Sequence, residues 1–507
     1  MRSPVERIRV ALEGWLADEA RERVWRWRGS PEAASAADVL ERHAWLATGE
    51  ARDSLTQAAR MGLVSPPERA ALAEHLARVA AERELAGARA ILRAMGERRL
   101  EIDGRGVTLA AATRELLATT DARRRAALAR ACESSIEALL PELLDARAGA
   151  DEAASQTASS LGPAAGDEDP RSAATAFVRG PASASEADAN ALSDLARELL
   201  RRTEDAAREA SESVVRRVGR AGDAAWADLA SGLRCPELDP IVPRRGRWRR
   251  IGAGIAALGF DQELASRVRA EENHGTLSPR ARVVAPSIPA DVRVAEAPIE
   301  LGLASELEAS VALGRALALA LTSPALPIEL RHPPCGPATD GVGRALGSLF
   351  AQLVADPTYL RRVRDLDGAS RERASRHAAR LLLLGARLDA AAYLVSVEAR
   401  TPRDRVDATC EHLRDALHVL VPPPVAALVG ALPSGAAPRL RGRLAGLAAA
   451  IGMRDRWDED WFRNPRASET LRAGAAPGCA LRARQWLDET VAVPRAAGID
   501  RLIELVG

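Results

Sequence analysis

The chain has 507 residues, 47% of them hydrophobic and 28% charged, and a formal net charge of +1 at pH 7. This length is enough to bury a large core, the composition is typical of soluble globular proteins, and the near-zero charge gives no reason to expect a nucleic-acid partner. All 71 basic residues are arginine, which excludes lysine Schiff-base chemistry and the phosphate-binding loop that ends in Gly-Lys.

Residues 1–147 carry apolar side chains at helical spacing and predict an N-terminal helical lobe. Within it, Leu100 to Leu109 predicts a small hairpin around Asp103-Gly104. Residues 148–187 are rich in Ala, Ser, Gly, Asp and Pro and predict a low-complexity loop or linker. The remainder, residues 188–507, predicts a second and larger helical domain.

Arginines surround Trp248 in the run from Arg244 to Arg250. A basic run with an aromatic residue can contact phosphate. In a chain of nearly zero net charge, however, a solvated face or internal ion pairs is the favoured interpretation.

The central stretch of the second domain predicts a strand pair followed by a buried helix. Val283–Ala285 and Val292–Ala295 are rich in β-branched residues and are separated by prolines, which predicts two extended segments joined by a turn. A helix from about Ala304 to Leu321 follows, with Ser305 as a possible N-cap. Its interior is nearly all Ala, Leu and Val, which is typical of a helix buried on every side.

The cysteines are few, odd in number and widely spaced, without a C-x-x-C pair. This pattern favours a reducing compartment over a disulfide scaffold. The N-terminal residues are too charged for a secretory signal, and no uncharged apolar run approaches about 18 residues. We therefore expect a bacterial cytoplasmic protein that does not cross a membrane.

The histidines do not form an H-x-x-x-H pair anywhere in the sequence. His412 and His418 are six positions apart and are expected on different faces of a helix, which disfavours a metal site. His274 and His332 flank the central helix and are expected mainly in surface loops.

Several stretches resemble the thimet oligopeptidase and oligoendopeptidase F family of zinc peptidases. The run Val311-Ala312-Leu313-Gly314-Arg315 is similar to the family's H-E-x-x-H helix, and Gly341–Leu360 is similar to the following helix that carries a glutamate ligand. Trp461-Phe462, followed by Asn464-Pro465, matches a family motif near the C-terminus. In this chain both histidines and the catalytic glutamate are replaced, and Arg344 stands at the third ligand position.

The resemblance implies a mostly α fold: a two-lobed helical body around a deep cleft, with a small β-sheet next to the central helix. It places a pseudo-active site within residues 277–356. Because zinc is expected in the family but its ligands are absent here, the resemblance implies no cofactor and no metal site. The chain would be a degenerate member, a pseudopeptidase without catalytic residues.

If the fold is retained, Arg315 and Arg344 are expected to face one cavity together with Val311 and Ala312, which lie on the same helix face. Glu308 is a candidate internal partner. Buried cations need a carboxylate, a carbonyl, water or an anionic ligand. The site is therefore either a place for an anion or peptide C-terminus, or a set of internal ion pairs.

The leading hypothesis for function is a pseudopeptidase that binds a peptide or protein. Two alternatives remain open: an active peptidase or hydrolase with a relocated or non-standard site, and a helical scaffold without a ligand. The sequence does not specify an oligomeric state.

Overall fold

Helices build most of the structure, a computed structural model that describes residues 3–30, 36–161, 186–219, 225–271, 281–297, 300–333, 341–399, 402–431, 436–480 and 483–507. The N-terminal elements are α1 (Pro4–Trp27), α2 (Ala36–Arg42), α3 (Gly49–Arg60), α4 (Pro66–Glu97), β1 (Arg99–Ile102), β2 (Arg105–Thr108), α5 (Leu109–Ala118), α6 (Ala122–Glu137) and α7 (Leu140–Ser160).

The middle of the chain adds further helices and a small sheet. Its elements are α8 (Glu186–Arg202), α9 (Glu204–Val218), α10 (Ala225–Gly232), α11 (Arg247–Ile255), α12 (Asp261–Arg267), β3 (Val268–Glu271), β4 (Arg282–Ser287), β5 (Asp291–Ala295), α13 (Leu303–Leu321), α14 (Ile328–Arg331), α15 (Gly341–Leu353) and α16 (Pro357–Arg362). A π-helical turn, Ala256–Phe260, joins α11 to α12.

The C-terminal part is entirely helical within the described residues. Its elements are α17 (Gly368–Glu398), α18 (Pro402–Leu417), α19 (Pro423–Ala431), α20 (Ala436–Trp457), α21 (Pro465–Ala475), α22 (Ala483–Thr490) and α23 (Ala497–Val506). No helix in the described ranges combines the length and apolarity that a membrane span requires.

The predicted central helix is present as α13, and it is buried along nearly its whole length. The predicted N-cap was wrong, because the helix begins at Leu303 and Gly302, three residues before Ser305, is the capping residue. Ser305 lies inside the first turn instead, where its hydroxyl accepts the backbone N–H of Leu301 at 2.8 Å. Glycine suits the cap position because the backbone there has a φ of 56°.

Glycines allow α13, α15 and α20 to pack with their backbones almost in contact. A Cβ atom on Gly314 of α13 would lie 2.7 Å from the Cα of Gly347 in α15. A Cβ atom on Gly446 of α20 would lie 2.2 Å from the carbonyl oxygen of Ala345. Real side chains do not tolerate such distances, so the relative positions of these three helices depend on the glycines.

The predicted strand pair is confirmed, and it belongs to a three-stranded sheet in the order β3-β5-β4. Strands β4 and β5 are antiparallel, and β3 runs parallel to β5. The sheet shares its hydrophobic core with α13 through residues such as Val283, Val292 and Leu317. The hairpin at Asp103-Gly104 is also present, as β1 and β2.

Helix α7 extends through residues 148–160, the first part of the segment that composition assigned to a loop. That part of the loop prediction was wrong. Alanine is abundant there and favours helix, and Ala150 and Ala154 pack against Ala81 and Leu85 of α4. Residues 162–185, which include most of the remaining segment, lie outside the described residues.

The arginine cluster before the central helix forms internal ion pairs, as the near-zero net charge of the chain favoured. The buried Arg247 donates to Glu300 at 2.6 Å and to Glu296 at 3.4 Å. Arg250 donates at 3.0 Å to Glu306, a carboxylate of α13 whose side chain is 0% exposed. Arg364 donates to the other oxygen of Glu306. Two arginines thus neutralise one buried acid on the central helix.

Arg387 of α17 is fully buried and binds the ends of two other helices. Its Nη1 donates to the carbonyl of Leu200 at 2.5 Å, near the end of α8. Its Nε and Nη2 donate at 2.7 Å to the carbonyls of Ala416 and Asp415, near the end of α18. A cation at a helix C-terminus is favoured by the helix dipole, so Arg387 joins three helices.

Two histidines are buried where the N-terminal helices meet the rest of the chain. His75 of α4 is 0% exposed, and His332, which the sequence assigned to a surface loop, is also buried. His332 lines a small cavity with Glu19 and Arg78. Burial, together with the positive charge of nearby arginines, lowers the pKa of both histidines to about 3. Both rings are therefore neutral at pH 7.

These two histidines predict a loss of stability in mild acid. In the unfolded chain a histidine has a pKa of about 6.5, so between pH 6.5 and 3 the unfolded state binds protons that the folded state does not. The free energy of unfolding should fall with decreasing pH by about 1.4 kcal/mol per pH unit for each histidine. Urea unfolding between pH 7 and 5 measures this slope. Most carboxylates titrate below this range and therefore contribute little to it.

The control for this prediction is the double variant His75→Gln, His332→Gln, which removes both titrating rings. Its unfolding free energy should depend less steeply on pH than that of the unmodified chain. Equal slopes in the two proteins would contradict the assignment.

Candidate functional site

A cavity of about 60 Å³ lies where α13, α15, α17 and α20 meet. The side chains that line it are mainly charged: Ala281, Glu308, Val311, Ala312, Arg315, Arg344, Ser348, Asp389, Arg439 and Arg443. The structure thus brings all five residues that the sequence proposed for the pseudo-active site into the lining of one cavity.

Helix α13 supplies one wall through a single face. Glu308, Val311, Ala312 and Arg315 are spaced by three or four residues, so their side chains follow one another along that face. Arg315 is 9% exposed although it is charged. Both Arg315 and Arg344 take part in interactions with the surrounding protein.

Helix α15 carries Arg344 into the cavity, and the contact with α20 fixes its position. A Cβ atom on Gly442 of α20 would lie 2.4 Å from the Cβ of Arg344. The stem of Arg344 therefore rests directly on the backbone of α20. Ser348, one turn further along α15, lines the same cavity.

Three charged residues of the site were not predicted, and they come from helices distant in sequence. Asp389 of α17 accepts the Nε–H of Arg439 at 3.0 Å and that of Arg443 at 2.8 Å, both on α20. The Asp389 side chain is 4% exposed, whereas those of Arg439 and Arg443 are 18% and 20% exposed. The side chains of Arg439 and Arg443 therefore reach from the cavity to the solvent-exposed surface.

A sequence signal for these residues exists, although it is weak. Asp389 is the acidic residue in the middle of a long apolar stretch, LLLLGARLDAAAYL, where a carboxylate is expected only with a partner. Arg439 and Arg443 are one helical turn apart and so share a face. Neither the sequence of α17 nor that of α20 indicates that these two helices contact each other.

Glu308, the proposed internal partner, lines the cavity, but the carboxylate that pairs with the arginines of α20 is Asp389. Internal ion pairing is thus present for Arg439 and Arg443, whereas the two alternatives stated for Arg315 and Arg344 stay predictions. The lining contains four guanidinium groups and two carboxylates, so positive charge predominates among the residues that face the cavity.

The residues of this cavity do not fit a zinc ion. Protein zinc sites use Cys, His, Asp or Glu side chains, and the lining contains only Glu308 and Asp389 of these types. Asp389 is already engaged by two arginines. Elsewhere in the described ranges, no group of three or more such residues is placed to hold a metal ion.

A second, open pocket of about 820 Å³ has both His412 and His418 in its lining, although the sequence predicted them on different faces of one helix. Helix α18 ends at Leu417, and His418 follows with a φ of 54°, so helical spacing does not apply to it. The Nε2 atom of His412 lies 2.8 Å from Glu398. Burial lowers the pKa of His418, although the nearby Glu204 partly opposes this effect. His274 lies outside the described residues.

No protein-family model and no curated protein matches the sequence. Solved structures do match. A putative oligoendopeptidase F aligns with a TM-score of 0.62 and 12% identity, covering 98% of this chain and 94% of that one. Metallocarboxypeptidase 1 of Trypanosoma cruzi aligns with a TM-score of 0.59 and 11% identity, covering 99% and 98%. The chain has the fold of these peptidases.

A third structure, PZ peptidase A with an inhibitor, aligns with a TM-score of 0.57 and 9% identity over 90% of this chain and 82% of that one. The likeness extends over nearly the whole chain in each case, so the helical peptidase architecture that the sequence suggested is confirmed. At these identities the likeness concerns the fold alone.

The pairing of Asp389 predicts that Asp389→Asn destabilises the protein. The substitution leaves the guanidinium groups of Arg439 and Arg443 without their carboxylate in a largely buried place, so the free energy of unfolding should fall by about 3 kcal/mol. Urea unfolding at pH 7 measures the change. Glu372→Gln is the matched control, because it breaks an exposed ion pair with Arg376 and should have no measurable effect. A similar result for both variants would contradict the proposed importance of Asp389.

Proposed function

We propose that this protein is a pseudopeptidase: it binds peptides through the arginine-lined cavity and does not hydrolyse them. One observation carries the proposal. The positions that correspond by resemblance to the zinc ligands and the catalytic base, Val311, Ala312, Arg315 and Arg344, line one cavity, and none of them can perform zinc-peptidase chemistry.

The chemical argument concerns what each side chain can do. Val311 and Ala312 have no polar atoms with which to bind a metal or accept a proton. Arginine remains protonated at all physiological pH values and has no acceptor atom, so Arg315 and Arg344 can serve neither as metal ligands nor as a general base. We therefore assign no catalytic residue, no metal and no cofactor to this cavity.

The same arginines suit an anionic group of a ligand. A guanidinium group donates two parallel hydrogen bonds to a carboxylate. The cavity of about 60 Å³ is larger than the roughly 10–15 Å³ that one water molecule needs, so it has room for a small polar group such as a carboxylate. We propose that the cavity receives the C-terminal carboxylate of a peptide.

The alternative of an active hydrolase receives little support from the cysteines. Burial raises the pKa of Cys132 and Cys235 to about 11, so both thiols are protonated at neutral pH and are poor nucleophiles.

Among the described residues the cysteines are free thiols, which supports our assignment of the protein to the bacterial cytoplasm.

The proposal predicts that the purified protein does not require zinc. Metal analysis by mass spectrometry should find far less than one zinc per chain, and treatment with a chelator should leave the melting temperature unchanged, since no zinc-binding set was found in the cavity. One tightly held zinc per chain would contradict the proposal. Peptide cleavage that a chelator abolishes would favour a relocated metal site.

Peptide binding should depend on a free C-terminus. Labelled pools of random octapeptides are prepared as free acids and as C-terminal amides, and binding is followed by fluorescence polarisation. We expect the acids to bind more tightly, and Arg344→Gln to weaken their binding roughly tenfold, because it removes a charge-assisted hydrogen bond.

Arg376→Gln, at an exposed position on α17, is the control and should bind like the unmodified chain. Circular dichroism establishes that both variants are folded. Equal binding of acids and amides would contradict the assignment of the carboxylate. Failure of every pool to bind would instead favour the alternative of a ligand-free scaffold.

A further inference from the structure

Three exposed arginines surround an open pocket on another part of the surface. Arg361 and Arg362 end α16, and Arg463 ends the short 3-10 turn Trp461–Arg463. The pocket has a volume of about 780 Å³, and its remaining lining is apolar: Ala253, Ala257 and Val363. We call these three arginines and this lining the basic patch.

The arginines of the basic patch differ from most charged residues described above, because they lack partners. Within the described ranges, the side chains of Arg361, Arg362 and Arg463 make no hydrogen bond and no ion pair. By contrast, Arg364, which follows closely in sequence, pairs with the buried Glu306. The turn after α16 therefore directs Arg364 inward, while the last two residues of the helix, Arg361 and Arg362, remain available at the surface.

The basic patch is separate from the arginine-lined cavity. Helix α11, which contains Ala253, packs on α13 on the side of Glu306, through the ion pair between Arg250 and Glu306. The face of α13 that lines the cavity is instead the one that carries Glu308. Positions 306 and 308 point about 200° apart around a helix. The two basic sites thus lie on opposite sides of the central helix.

The elements that carry these arginines are held firmly together. The rings of Tyr359 in α16 and Phe462 in the 3-10 turn pack edge to face with their centroids 5.4 Å apart. Helix α11 approaches so closely that a Cβ atom on Gly254 would lie 1.9 Å from the hydroxyl of Tyr359. The patch therefore presents its charges from a fixed base, which lowers the entropic cost of binding.

We propose that the basic patch is a docking surface for an acidic segment of a partner protein. Three guanidinium groups without partners complement a row of carboxylates. The pocket is wide, and the part of its lining between the arginines is apolar, which suits an extended chain better than a compact ion.

The experiment uses the full chain and a fluorescein-labelled, C-terminally amidated peptide of ten glutamates, with an amidated peptide of ten glutamines for comparison. Amidation excludes binding through a C-terminal carboxylate. The test variant is Arg361→Gln, Arg362→Gln, Arg463→Gln. The control variant is Arg7→Gln, Arg208→Gln, Arg376→Gln, which removes three exposed arginines that already have carboxylate partners. Both variants change the net charge by the same amount.

The glutamate peptide should bind in a salt-dependent way, the glutamine peptide should not bind, and the test variant should lose about tenfold in affinity. The control variant should retain affinity. Equal losses in both variants would overturn the proposal, because net charge would then explain binding. Competition by inorganic phosphate or single-stranded DNA at lower concentrations than the glutamate peptide would also overturn it.

Arg344→Gln separates this inference from the proposed function. That variant removes a charge from the cavity and should leave binding of the glutamate peptide unchanged. If instead it abolishes that binding while the test variant does not, the acidic segment binds at the cavity, and the basic patch has no role.

Discussion

The close approach of α13, α15 and α20 is the constraint on which the candidate site depends. Gly314 and Gly347 let α13 and α15 touch along their backbones, and Gly446 does the same for α15 and α20. Backbone contact leaves little freedom to slide or rotate, because a shift of one helix brings main-chain atoms into collision. The side chains that project beside these contacts, among them Arg315 and Arg344, are therefore directed into one small space.

In this scaffold, the glycines at the helix contacts determine where the cavity lies, and the side chains that face the cavity determine its chemistry. Those side chains can therefore differ without a change in how the helices pack. A cavity that would suit a metal in one sequence can accordingly hold guanidinium groups in another. Asp389 offsets part of the resulting charge through Arg439 and Arg443.

The sequence predicted those parts of the structure that depend on local pattern. Helix α13 and the pair β4–β5 were recognisable because an apolar helix and two β-branched segments have distinctive periodicity. The five proposed site residues came from a resemblance to a family, and the structure places them in one lining.

What the sequence did not predict depends on contacts between distant segments. Strand β3 is short and charged, and only its pairing with β5 makes it a strand. The position of Asp389 beside Arg439 and Arg443 depends on how α17 and α20 pack. The burial of His332 requires the N-terminal helices to lie over it, which no pattern near residue 332 indicates.

Arg387 has a consequence for how this molecule can move. Its guanidinium group binds the carbonyls of Leu200, Asp415 and Ala416 at once, so separating α8 or α18 from α17 leaves buried donors of Arg387 without acceptors. These three helices should behave as one rigid body. Any opening motion that admits a ligand must then use hinges elsewhere in the chain, and the pocket at His412 and His418 travels with the rigid body instead of changing shape.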